Sequence, residues 1–76
     1  MKYIINVIGA VQGVGYRPFV LKKATEYGIK GYVKNLGAVV EILADGAESD
    51  IHAFVETLKT NAPVGALVLD VQFQKT

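Results

Sequence analysis

Cysteine is absent from the 76 residues, so no disulfide, thiolate metal site or cysteine nucleophile can operate in this chain. That absence suits a reducing compartment, and a cytoplasmic location is the expectation. No apolar run approaches the roughly 18 residues that a membrane helix needs. The first residues also lack the charged-then-apolar pattern and small-residue cleavage site of a secretory leader. A soluble chain with no membrane partner is therefore expected. Charge of either sign is sparse: the formal net charge is +1, with the basic residues spread along the chain. Lys22-Lys23 is the one basic pair, and a solvated helix face accounts for it. The concentrated basic face of a nucleic-acid module is missing, so no nucleic-acid partner is expected. Histidine occurs once, at His52, and Glu41, Asp45 and Asp70 show no metal-site spacing. Neither a metal nor a cofactor is expected.

What is present is an apolar half and a charged fifth, enough for one small domain spanning 1–76 with an economical core. Tyr3 to Ile8 is short, apolar and β-branched, and reads as a strand. Pro18 suits the first position of a helix, where a missing N–H costs nothing. Val20, Ala24 and Tyr27 then follow at helical spacing, with Leu21 adjoining and Gly28 as a stop. Lys30 to Asn35 and Val39 to Ala44 read as strands joined by a turn at Leu36-Gly37-Ala38. Ser49 is the expected N-cap of a second helix, in which Ile51, Phe54, Val55 and Leu58 form an apolar stripe. Pro63 and Gly65 interrupt the chain. A last strand places Leu67, Leu69, Val71 and Phe73 on one face, and Val68, Asp70, Gln72 and Gln74 on the other. The order β-α-β-β-α-β predicts an α+β, ferredoxin-like sandwich: a four-stranded antiparallel sheet with two helices on one face.

The chemistry-bearing stretch is Gly9-Ala10-Val11-Gln12-Gly13-Val14-Gly15-Tyr16-Arg17-Pro18-Phe19, running from a strand through a glycine-bearing turn into a helix. Glycines let backbone N–H groups converge on an anion, and a helix start adds further N–H groups and a positive dipole end. Proline disfavours the α region for the residue before it, which places Arg17 at the cap position. Its guanidinium fork can pair two phosphate oxygens there. The glycine order is not the dinucleotide G-x-G-x-x-G, and without Gly-Lys-Ser/Thr this is not a nucleotide P-loop. Glycine spacing alone fits equally well a plain turn carrying a surface arginine.

Val11-Gln12-Gly13-Val14-Gly15-Tyr16-Arg17 resembles the signature of the acylphosphatase family. Gly31-Tyr32-Val33-Lys34-Asn35 resembles that family's second motif, and the 18 positions from Arg17 to Asn35 match its spacing. The resemblance covers nearly the whole chain. Arg17-Pro18-Phe19-Val20 and the short route from Asn35 to Val40-Glu41 are similar to the acylphosphatase-like domain at the N-terminus of hydrogenase maturation carbamoyltransferases. None of the zinc-finger or carbamoyl-transfer segments of such enzymes is among the 76 residues.

The resemblance implies hydrolysis of acyl phosphates, with carbamoyl phosphate as the expected substrate and inorganic phosphate as a product. It implies Arg17 and Asn35 as catalytic residues. Phosphate would be bound by Gln12, Gly13, Val14, Gly15, Tyr16 and Arg17, and Asn35 would orient the attacking water. A neighbouring carbamoyl-transfer domain would be the partner. Two alternatives remain: a free-standing acylphosphatase, and a non-catalytic phosphate-binding or interaction module.

Other residues have plainer readings. His52 lies beside the apolar stripe and is expected to face solvent, and Ser49 is a cap rather than a nucleophile. Lys30-Gly31-Tyr32 faintly echoes an RNA-stacking motif, but on the wrong strand. Ile4, Ile8, Val39, Leu43 and Val68 should share the open face of the sheet, as a docking patch or as ordinary surface apolarity.

Overall fold

The computed structural model describes residues 1–11 and 15–76. Its elements are β1 (Lys2–Ala10), α1 (Tyr16–Glu26), β2 (Lys30–Asn35), β3 (Val39–Asp45), α2 (Glu48–Thr60) and β4 (Leu67–Lys75). The sheet order is β2-β3-β1-β4 and every neighbouring pair is antiparallel. This is the ferredoxin-like arrangement expected from the order of elements.

Alternation along the strands decides what is buried. Tyr3, Ile5 and Val7 of β1 pair with Ala44, Ile42 and Val40 of β3, and all six are buried against the helices. The α2 stripe of Ile51, Phe54, Val55 and Leu58 packs onto them, fully buried as its spacing required. Burying each such side chain contributes about 1.5–3 kcal/mol. On the opposite face Ile4 stands beside Leu43 and Ile8 beside Val39, all four partly exposed. His52 is exposed, yet its ring meets Tyr3 and Phe73 edge-on at 6.0 and 5.5 Å. The Tyr3 hydroxyl donates to Glu48 at 2.6 Å, tying β1 to the first turn of α2. That bond, helped by Lys75, His52 and the N-terminus against some desolvation, holds the Glu48 carboxyl below its usual range.

Three local expectations are corrected. α2 begins at Glu48 with Ala47 as its cap residue and no side-chain cap bond, so Ser49 lies inside the helix. Glu48 and Asp50 occupy the first turn instead, where negative charge favours the helix dipole. The second correction concerns β4. Its register shifts between Ile8 and Gly9 of β1, where Ile8 pairs with Asp70 but Gly9 with Val68, leaving Leu69 as the extra residue. The bulge reverses the alternation. Val71 stays buried, Leu67 and Leu69 are exposed, and Val68 packs on the core rather than on the open face. The third lies at the start of α1.

Candidate active site

α1 begins at Tyr16, one residue before the expected cap. Gly15 is the cap residue, with φ 75° and ψ 19°, a left-handed conformation that glycine adopts without steric cost. Arg17 is therefore the second helical residue and Pro18 the third. The first intrahelical donor is Phe19, whose N–H reaches the Gly15 carbonyl at 3.2 Å. A proline just before that donor forfeits no helix bond, which is why the helix tolerates it one turn in. No acidic residue occupies the first turn, so nothing there opposes an anion at the positive end of the dipole.

Tyr16 points inward and is buried. Its hydroxyl donates to the Leu58 carbonyl oxygen at 3.3 Å, pinning the start of α1 to α2. Burial pushes its pKa up to about 12. The neighbouring Phe19 ring packs 5.5 Å away. Arg17, next along the helix, is exposed.

Asn35 is the last residue of β2 and pairs with Val40 of β3. Its side-chain oxygen accepts the Gly37 N–H at 3.3 Å, within the turn that the Leu36 N–H closes onto the Val39 carbonyl. The same turn is held against β1 by the Gly9 N–H on the Ala38 carbonyl. Gly31, at the head of this strand, has φ 143°, and a Cβ there would collide with the Leu43 carbonyl oxygen. The glycine of the second motif thus lets β2 close onto β3 and carries Asn35 to its place.

These elements meet in one cleft of about 320 Å³, at the small end of the roughly 300–1,000 Å³ typical of small-molecule sites. Arg17 and Asn35 both line it, joined by Gly15 and Tyr16, with Val11, Pro18, Leu21 and Val40 as apolar walls. Gln12, Gly13 and Val14 lie outside the described residues. Sequence reasoning missed the apolar walls and the bond from Gly37. The available signals were Leu21, one turn beyond Arg17 and off the buried stripe, and the glycine two places after Asn35.

Other candidates do not join the cleft. His52, Ser49, Glu41, Asp45 and Asp70 are not among its lining residues. Among the described residues no group of three or more histidine or acidic side chains could hold a metal. On β2, the Tyr32 hydroxyl donates to Glu41 at 3.0 Å and Lys34 sits 5.8 Å over its ring, so both side chains have partners within the sheet. No helix among the described residues is long and apolar enough to cross a membrane.

The fold and the cleft together define an acylphosphatase-like domain. The chain belongs to the acylphosphatase family, a family of enzymes, whose sequence profile matches residues 3–76. It is 52% identical over 63 residues to a probable carbamoyltransferase HypF of Methanocaldococcus jannaschii, covering 83% of this chain and 8% of that protein. The crystal structure of Bacillus subtilis acylphosphatase superposes with a TM-score of 0.93 at 41% identity, covering 99% of this chain and 83% of that one. HypF of T. kodakarensis superposes with a TM-score of 0.88 at 47% identity, covering 100% of this chain and 10% of that one. The chain resembles the N-terminal domain of HypF, and spans only about a twelfth of the M. jannaschii protein.

Proposed function

We propose that this chain hydrolyses acyl phosphates in the cleft shared by Arg17 and Asn35, with carbamoyl phosphate as its substrate. The observation that carries the reading is the placement of those two residues in one cleft beside an α-helix N-terminus free of acidic side chains.

The chemistry needs little more. Arg17 binds the phosphate oxygens with its fork, and the helix N-terminus adds backbone N–H groups and dipole. Gln12, Gly13, Val14, Gly15 and Tyr16 complete the phosphate cradle. Asn35 holds a water through its side-chain amide. The water oxygen attacks phosphorus and the bond from phosphorus to the acyl oxygen breaks. The carboxylate departs with the bonding electrons, and the water proton passes to a phosphate oxygen. A carboxylate or carbamate is a weakly basic leaving group, so no general acid is required. Positioning and charge stabilisation supply the rate.

The likeness to HypF supports carbamoyl phosphate as substrate, a neighbouring carbamoyl-transfer domain that receives the carbamate, and a part in hydrogenase maturation. The likeness to B. subtilis acylphosphatase supports a second reading, a free-standing enzyme of broader substrate range. Phosphate release from carbamoyl and benzoyl phosphate tests both. A higher kcat/KM for carbamoyl phosphate favours the first reading, and a higher value for benzoyl phosphate favours the second. Phosphate release at the spontaneous rate from both would contradict either one and leave a binding module.

A further inference from the structure

We propose that Leu21 is a specificity-determining residue: an apolar ridge against which the acyl group lies, adding to the turnover of apolar acyl phosphates and little to that of carbamoyl phosphate. The proposal rests on the acyl-phosphate reading above and extends it to the acyl half of the substrate.

Leu21 sits four residues beyond Arg17 on α1, so the two side chains occupy one face of the helix, one above the other. It is 52% exposed, unlike Val20 beside it, which is fully buried. Leu21 therefore contributes little to the core, and its position is open to a ligand. It also lines a second groove, between α1 and β2, whose walls include Ala24, Ile29 and Val33. Among the described residues Leu21 is the one common to the two linings, and it stands as a ridge between the Arg17–Asn35 cleft and that groove.

The polar inventory of the cleft points the same way. Among the described residues, its polar side chains are those of Arg17, Asn35 and Tyr16. Tyr16 spends its hydroxyl on the Leu58 carbonyl, while Arg17 and Asn35 serve the phosphate and the water. The other described side chains of the cleft, those of Val11, Pro18, Leu21 and Val40, are apolar. A site discriminates strongly for a substrate N–H only when it offers that group a hydrogen-bond partner; an apolar wall instead rewards apolar contact. A benzoyl ring reaches Leu21 and loses water there, whereas the short, polar carbamoyl group gains little from the same surface.

The test compares kcat/KM for benzoyl and carbamoyl phosphate in wild type, Leu21→Ala and Leu21→Met. The ratio of the two values cancels any difference in the active fraction of each preparation. In Leu21→Ala we expect the benzoyl-to-carbamoyl ratio to fall about 5- to 10-fold. A half-exposed wall should act near the low end of the roughly 10- to 200-fold that a methylene commands in an enclosed pocket. Leu21→Met, which keeps the apolar bulk, should hold the ratio within about twofold of wild type. If wild type hydrolyses both substrates and Leu21→Ala leaves the ratio unchanged, the ridge is overturned while the acyl-phosphate reading stands. If wild type hydrolyses neither, both fall together.

Discussion

The side-chain oxygen of Asn35 accepts the N–H of Gly37 at 3.3 Å, so the amide at the end of β2 is held by its own hairpin turn. The acceptor end has a structural use, and the donors of the amide reside on Nδ2. Asn35→Asp keeps an acceptor for Gly37 but loses the –NH2 donors. We expect it to keep the Gly37 bond, and its folded form to lose roughly 10²-fold or more in kcat. Thermal melts beside steady-state phosphate release would separate the two effects. Full turnover in Asn35→Asp would remove the water-orienting role.

Arg17 is exposed on the first turn of α1, where its charge alone or its forked geometry could matter. Lysine keeps the charge and loses the fork. We expect Arg17→Lys to fall about 10²–10³-fold in kcat/KM, with its melting temperature unchanged. A loss of threefold or less would mean that a point charge suffices.

Gly31 closes β2 onto β3 at a place where a Cβ would strike the Leu43 carbonyl oxygen. Backbone cannot yield as a side-chain tip can. Gly31→Ala should therefore cost at least about 2 kcal/mol in urea unfolding and slow turnover by displacing Asn35. A change under about 0.5 kcal/mol would show that the close approach is not needed.

Much of this was legible in the sequence, for particular physical reasons. Period-two alternation in β1 and β3 and the 3.6-residue stripe of α2 depend only on which side of an element meets the core, and these readings agree with the structure. β4 was misread because its bulge is set by pairing with Gly9 of β1, a tertiary relation invisible in the alternation of β4 itself. Arg17 was placed one step outside the helix because the rule for residues before proline is local, while the left-handed Gly15 already turns the chain into α1. The motifs gave the pair Arg17 and Asn35. The apolar walls were hidden, because Leu21 neighbours Arg17 along α1 and Val40 neighbours Asn35 across the hairpin, and only the packing of α1 beside the sheet joins the two neighbourhoods into one cleft.

Tyr16 gives a pH signature. Its pKa is pushed from the ordinary 10.0 up to about 12 by burial. Because the folded value lies above the unfolded one, its contribution to stability is fully present below pH 10 and lost as pH rises through about 12. Between about pH 9 and pH 11 wild type should lose roughly 1 kcal/mol relative to Tyr16→Phe, which has no proton to release. Urea titrations at the two pH values measure this. Parallel loss in both proteins would show that Tyr16 is not the group responsible.

The most direct measurement is phosphate release from carbamoyl and benzoyl phosphate by wild type beside Arg17→Ala and Asn35→Ala, each checked for folding by circular dichroism. Turnover well above the spontaneous rate in wild type, with a loss of about 10²-fold or more in both folded variants, is the expected result. Wild-type turnover in either variant would contradict the assignment of catalysis to the cleft that Arg17 and Asn35 share.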